Sequence, residues 1–194
     1  MQKLQPDVDA GAHDSRRRTS LQELAASASI RASTHSPVLQ WARDRGQRKG
    51  GMLSEIAPRL FVGNRAASRD RELLRAHNIV AVVCVGARPV FGDLDYHHVK
   101  VKDDGTQTMR WMFRPAVRFV AANISRGAVL VHCQGGMSRS PAMAMAYLLI
   151  ECGLSLPEAA ELVLLARPSV KPRPRFLDDL RELEAVSFCF ETAF

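Results

Sequence analysis

Residues 129–141 read Val129-Leu-Val-His-Cys-Gln-Gly-Gly-Met-Ser-Arg-Ser-Pro141, and their order decides the fold. A β-branched and aliphatic run ends at His132 and Cys133. Five residues separate Cys133 from Arg139, and Ser140-Pro141 opens an apolar stretch that continues to Cys152. The pattern is strand, tight loop, helix. Pro141 fits the first turn of a helix, where its missing N–H removes no bond. Strands feeding helices in this way build α/β folds with a mainly parallel sheet. In such sheets ligands bind beyond the carboxyl ends of the strands, which is where this loop falls.

The loop has the makings of an anion cradle. Gln134, Gly135, Gly136, Met137, Ser138 and Arg139 can curl so that successive backbone N–H groups point inward. Gly135 and Gly136 permit the backbone angles and close approach that such a curl needs. The following helix directs its positive dipole end at the same point. Arg139 adds a planar fork able to grip two oxygens of a phosphate, which carries about two negative charges near neutral pH. The same field acts on Cys133. A free thiol ionises near about 8.5, and a helix N-terminus with a nearby cation lowers this to roughly 3.5–7.5. Cys133 is therefore expected as a thiolate nucleophile. Ser140 is placed to donate to its sulfur, and His132 to order the loop. No His/Cys/Asp/Glu group has metal-ligand spacing, so neither a metal nor another cofactor is expected.

Working outward, Ile56–Gly63 reads as a strand or strand pair ending at a glycine turn. Ser68 is expected to cap a helix over Arg69–His77, stopped by Asn78. Ile79–Val85 is a dense β-branched run and a buried strand. His97–Val101 reads as another short strand. Met112, Phe113, Ala116, Val117, Val120, Ala121 and Ile124 recur at helical spacing before Gly127. The strand Ala128–His132 and a buried helix over Ala142–Cys152 follow. Ser155 and Glu158 form a capping-box pattern for a helix to about Arg167. Phe176, Leu177, Leu180, Leu183 and Val186 mark a last helix.

The chain has 194 residues, 46% of them hydrophobic, enough for one domain and a tail. Residues 1–52 hold nine Lys/Arg and five Asp/Glu, and the remainder eighteen and fifteen, so the net +7 divides as +4 and +3. The first 52 residues, rich in Ser, Ala, Arg, Gly and Gln, are expected to be a mostly disordered basic tail with at most a short helix over Leu21–Ile30. Within it, Arg16-Arg-Arg-Thr-Ser-Leu21 reads as a solvated charge run or a basophilic kinase target. Residues 53–194 form the expected catalytic domain. The basic excess lacks an interleaved aromatic stripe, so nucleic acid is not an expected partner. Cys84, Cys133, Cys152 and Cys189 make no Cys-x-x-Cys pair, which favours a reducing compartment. With no membrane-spanning run and no secretory or myristoylation signal, the expectation is a protein of the cytoplasm or nucleus without a membrane anchor. Composition does not indicate an oligomeric state.

His132-Cys133, five residues and Arg139-Ser140 resemble the signature of the cysteine-based protein tyrosine phosphatases, and most closely that of the dual-specificity phosphatases. The resemblance runs from about Ser54 to Leu183. Ile56-x-Pro-x-Leu-Phe-Val-Gly-Asn64 is similar to the family's opening segment, Ile79–Val83 to its second strand, and Arg167-Pro168 with Pro172 and Phe176-Leu177 to its late segment. Arg173 stands there where the family has Asn, so a different turn is expected. The resemblance implies a cysteine-phosphatase fold and hydrolysis of phosphotyrosine and phosphoserine/threonine in proteins. It also implies a general acid at the end of a short strand. Asp103, thirty residues before Cys133, falls at that position, and Asp104 is the alternative. A domain of about 140 residues has little room for the insertions that deepen tyrosine-specific clefts.

Three other readings share the loop. A phosphoinositide phosphatase usually adds Lys within it, where Gln134 and Met137 stand here. RNA 5′-triphosphatases of the family usually end it in Asn-Arg-Thr, against Ser138-Arg139-Ser140 here. A catalytically silent phospho-binding module would not need Cys133, Arg139 and Asp103 together. Cys84, on a strand expected beside that of Cys133, is either a small core residue or a redox partner of the nucleophile.

Overall fold

A computed structural model describes residues 20–31, 36–45 and 51–191. Five strands form one sheet: β1 (Leu53–Ala57), β2 (Leu60–Gly63), β3 (Ile79–Val85), β4 (Asp95–Val99) and β5 (Ala128–His132), in the order β1-β2-β5-β3-β4. Only β1 and β2 run antiparallel, joined by a turn in which Arg59 adopts φ 64°. The other pairs are parallel, with β5 at the centre. The fold is the expected α/β architecture with a mainly parallel sheet and flanking helices.

The β3 and β5 runs are buried, as continuous Val, Ile and Leu stretches between two layers must be. One face of the sheet packs on α4 (Arg110–Ile124), α5 (Arg139–Glu151) and α6 (Leu156–Ala166), and α7 (Pro174–Glu191) packs on these helices. The other face, with Phe61, Val82, Cys84 and Leu130, is covered by Leu74 of α3 (Arg71–Ala76) and by Phe91, Leu94 and Tyr96. Helix α5 is apolar nearly all round because other elements enclose it, and Ala142 to Ala146 are buried without a break. The Ser155–Glu158 capping box is present in full at the start of α6.

Four expectations change. Ser68 does not cap a helix; it lies in a 3-10 turn over Ala67–Arg69, and Asp70 caps α3 by accepting from Leu73 N–H at 2.9 Å. Asn78, with φ 51°, does end the unit as expected. The strand expected over His97–Val101 is Asp95–Val99 instead, because parallel pairing with β3 matches Ala81 to Asp95 and Val85 to Val99. Helix α5 starts at Arg139 and not at Ala142, so Arg139 itself is in the first turn.

The fourth change concerns the tail. Its described parts are helical: α1 (Leu21–Arg31) and α2 (Pro37–Arg45). Leu21, Leu39 and Ala42 are buried, joining the core on the side of α6 and β1. Arg45 pairs with Glu55 of β1 at 3.3 Å. Few apolar residues mark these helices in the sequence. Tertiary packing on α6, itself strongly apolar, supplies what propensity does not. Of the basic run before Leu21, residues 16–19 lie outside the described residues.

Candidate active site

β5 delivers His132 and Cys133, and α5 begins six residues after the thiol. Between them the loop curls around the sulfur. Cys133 Sγ accepts from Gly136 N–H and from Ser140 Oγ, each at 3.2 Å. Burial pushes this thiol up and is the largest single effect. It is outweighed by the Ser140 hydroxyl, the Ser140 and Gly136 backbone N–H groups and the Arg139 charge, so the net shift is downward. Cys84 and Cys152 lack such donors, and burial pushes them up to about 12 and about 11.

The two loop glycines differ in role. Gly136 has φ +68°, and a Cβ there would lie 2.7 Å from the Gly63 carbonyl oxygen and 2.9 Å from Arg167 Nη2. Gly135 has neither a positive φ nor a close neighbour, contrary to the expectation that both permit the curl. Gln134 is held from outside: its carbonyl accepts from Arg65 N–H at 3.1 Å. Gln134 and Met137 are exposed at the mouth.

Ser138 occupies the N-cap position of α5 but makes no capping bond with its side chain. Its hydroxyl donates to Asp103 Oδ1 at 2.7 Å. Arg139 is buried; Nη1 donates to the Val101 carbonyl at 3.2 Å, and Nε lies 3.6 Å from Asp103 Oδ2 with no hydrogen-bond partner. A buried guanidinium N–H without an acceptor is costly by about 1–3 kcal/mol or more, so it is suited to an oxyanion delivered by substrate. Asp103 is thus brought over the loop. Asp104 is not: its Oδ1 accepts from Thr106 N–H at 2.9 Å and Thr106 Oγ1 at 2.7 Å, a local turn facing solvent.

Burial pushes His132 down to about 4, so the ring is neutral near pH 7. Its Nδ1 lies 3.4 Å from the Cys133 carbonyl and its Nε2 3.2 Å from Cys84 Sγ. A carbonyl only accepts, so Nδ1 carries the proton and Nε2 accepts from the Cys84 thiol. Cys84 and Cys133 are both free thiols and belong to different core clusters.

Three supporting residues were not among the expected site residues, although Arg167 lies in the late segment that carries the resemblance. Arg167, buried after α6, donates to the Gly136 carbonyl at 2.8 Å, the Gly51 carbonyl at 2.6 Å and Ser54 Oγ at 3.2 Å. Asp179 of α7, fully buried, accepts from Met109 N–H at 2.6 Å and Thr108 Oγ1 at 2.8 Å, anchoring the far end of the Asp103 loop. Gly86, after β3, has φ +68°, and a Cβ would lie 2.1 Å from Arg139 Nη1 and 2.6 Å from the Val101 carbonyl oxygen. A glycine closing a β-branched run was the one signal available for it. Gly86→Ala is expected to displace the Arg139 guanidinium and lower kcat/KM on p-nitrophenyl phosphate by about 10- to 100-fold. Gly105→Ala (φ +83°, open space) carries only the backbone strain, about 1–2 kcal/mol, and serves as the reference in the same assay and in thermal melts. Equal activities in the two variants would refute the packing argument.

Two open clefts lie nearby, one of about 350 Å³ lined by Gly86, Arg88, His98, Lys100 and Lys102, the other of about 670 Å³ reaching the loop at Gln134 and lined also by Arg65 and Arg69. Both are lined by cations, with Asp70 also in the second, and Cys133 lines neither. Among the described residues no group of three or more His, Cys, Asp or Glu side chains could hold a metal ion.

Comparison with known proteins agrees with this geometry. The family profile "Dual specificity phosphatase, catalytic domain" matches residues 60–186. Zebrafish (Danio rerio) dual specificity protein phosphatase 22-B is 31% identical over 138 residues, covering 70% of this chain and 75% of the relative. Dual specificity protein phosphatase 1B of Arabidopsis thaliana is 35% identical over 139 residues, covering 70% and 83%. The crystal structure of human DUSP28 superposes with a TM-score of 0.68 at 31% identity, covering 71% of this chain and 95% of that one.

Proposed function

This chain belongs to the dual-specificity protein phosphatases, and from that premise we propose that its chemistry runs in two steps through a phosphorylated Cys133. The observation that carries the reading is the convergence on one sulfur of two hydrogen-bond donors, a helix N-terminus and a buried guanidinium whose Nε has no hydrogen-bond acceptor. The Cys133 thiolate attacks phosphorus. The P–O ester bond breaks, and its electron pair leaves on the substrate oxygen, which takes the proton of the Asp103 carboxyl group. Arg139 and the loop N–H groups hold the equatorial oxygens as charge shifts onto them. Water then attacks the cysteinyl-phosphate and gives its proton to Asp103. The P–S bond breaks, inorganic phosphate leaves, and the Ser140 hydroxyl stabilises the returning thiolate. His132 orders the loop through the Cys133 carbonyl.

The substrates are phosphorylated tyrosine and serine/threonine residues of proteins, acted on in a reducing compartment, the cytoplasm or nucleus. The position of Asp103 over Ser138 and Arg139, against the solvent-facing turn of Asp104, supports Asp103 as the acid. On a phosphothreonine peptide, Asp103→Asn is expected to lower kcat by about 100-fold or more, and Asp104→Asn by no more than about 2-fold. The measurement is made with EDTA present, beside a phosphotyrosine peptide, a phosphoinositide and an RNA 5′-triphosphate. Faster turnover of the lipid or the RNA would replace the protein-phosphatase reading. Binding of phosphopeptide without hydrolysis would make the chain a recognition module.

A further inference from the structure

The loop bearing Asp103 has no regular structure between β4 and α4, and residues 102–107 are exposed or half-buried. Asp104 uses its carboxylate within its own turn. The loop alone therefore does not fix the direction of Asp103. Ser138 and Arg139 hold its carboxylate from the signature loop, and α7 with the residue before it holds the Asp103 loop at both ends. Asp179 holds Thr108 and Met109 from within the core. Arg173 holds Asp103 itself.

Arg173 is firmly seated. Its carbonyl accepts from Phe176 N–H at 3.0 Å and Leu177 N–H at 3.3 Å, so it caps the start of α7. Pro174 restricts the residue before it to extended backbone. Lys171 N–H donates to the Met137 carbonyl at 2.7 Å, and Arg173 N–H to Ser138 Oγ at 3.3 Å, which fastens this segment onto the signature loop. From there the guanidinium spans to the acid. Nη2 donates to the Asp103 carbonyl at 2.9 Å, and Nε lies 3.4 Å from Oδ1, the oxygen that also accepts from Ser138. One planar fork grips backbone and carboxylate together, a task that suits Arg better than Lys.

We propose that Arg173 is a positioning residue that latches Asp103 over the signature loop, and that in the step that phosphorylates Cys133 its effect is confined to substrates whose leaving oxygen needs a proton. This rests on Asp103 being the general acid. The Arg173 side chain is 52% exposed, and its capping and loop contacts other than those to Asp103 are made by the backbone, so truncation leaves them in place. Its loss lets the acid wander, and a displacement of about 1 Å is enough to slow proton transfer.

The test compares kcat/KM, which reports the step that phosphorylates Cys133, on a phosphothreonine peptide, whose alkoxide must be protonated, with that on p-nitrophenyl phosphate, whose phenoxide leaves with little help. Arg173→Ala is expected to lower the ratio of the two kcat/KM values by about 10-fold, and Arg173→Lys to recover part of it. In an Asp103→Asn background, Arg173→Ala is expected to change the ratio by less than about 2-fold. An unchanged ratio in Arg173→Ala, or an equal fall in the Asp103→Asn background, overturns the latch. An unchanged ratio in Asp103→Asn itself overturns the acid assignment and the latch with it. A fall there with none in Arg173→Ala removes the latch alone.

Discussion

Cys133→Ser is expected to abolish hydrolysis of p-nitrophenyl phosphate, by about 10⁴-fold or more, while leaving phosphopeptide binding intact. A serine hydroxyl in the same cradle stays protonated, because the donors that bring a thiol into the neutral range cannot do so for an alcohol. The cradle itself is unchanged: Arg139, the loop N–H groups and the α5 terminus still attract the phosphate. The variant should therefore retain phosphopeptides on a column that wild type turns over. Iodoacetamide reports the other half of the argument. The folded Cys133 ionises at lower pH than a free cysteine. Its alkylation should thus stay fast below the free-thiol pKa of about 8.5 and slow only as the pH falls through the lower, folded value. Cys84 and Cys152, pushed up to about 12 and about 11 by burial, should remain unlabelled under the same conditions. Residual turnover above a few per cent in Cys133→Ser, or a normal alkylation profile at Cys133, would remove the covalent mechanism.

Arg139→Lys is expected to lower kcat on the same substrate by about 10²- to 10³-fold, although the charge is kept. The reason is geometric. Arg139 is anchored by Nη1 on the Val101 carbonyl and packed against Gly86, which leaves Nε without a hydrogen-bond acceptor, 3.6 Å from Asp103 Oδ2. An ammonium cannot hold the Val101 anchor and present a second donor in the plane of the phosphate oxygens. Vanadate, which occupies the same cradle as an oxyanion, should lose affinity in parallel with kcat. A variant with kcat within about 3-fold of wild type would mean that Arg139 acts as a point charge only. The cost would then have to be looked for in Gly86→Ala, which moves the group without changing it.

The elements that were readable in advance share one property: their signal is local. The strand over Ala128–His132, the strand over Ile79–Val85 and the Ser155–Glu158 capping box appear as expected because the hydrophobic period or the cap is complete within a few residues. The β4 register was not readable, since an exposed edge strand takes its bounds from β3 and not from its own pattern. Helices α1 and α2 were read as mostly disordered because their apolar residues are sparse. What makes them helical is the α6 surface that they cover.

The amino-acid order from Val129 to Pro141 determined by itself that a thiol would sit in a curled loop between a strand and a helix, since every group needed to ionise it lies within eight residues of chain. The surroundings of that loop were decided by folding. Asp103 and Asp104 are neighbours in sequence, yet only Asp103 meets Ser138, 35 positions away, and Arg173, 70 positions away. Arg167 braces the loop while reaching back 116 positions to Gly51. Contacts of that kind depend on how sheet and helices bring remote segments together, and no spacing along the chain encodes them.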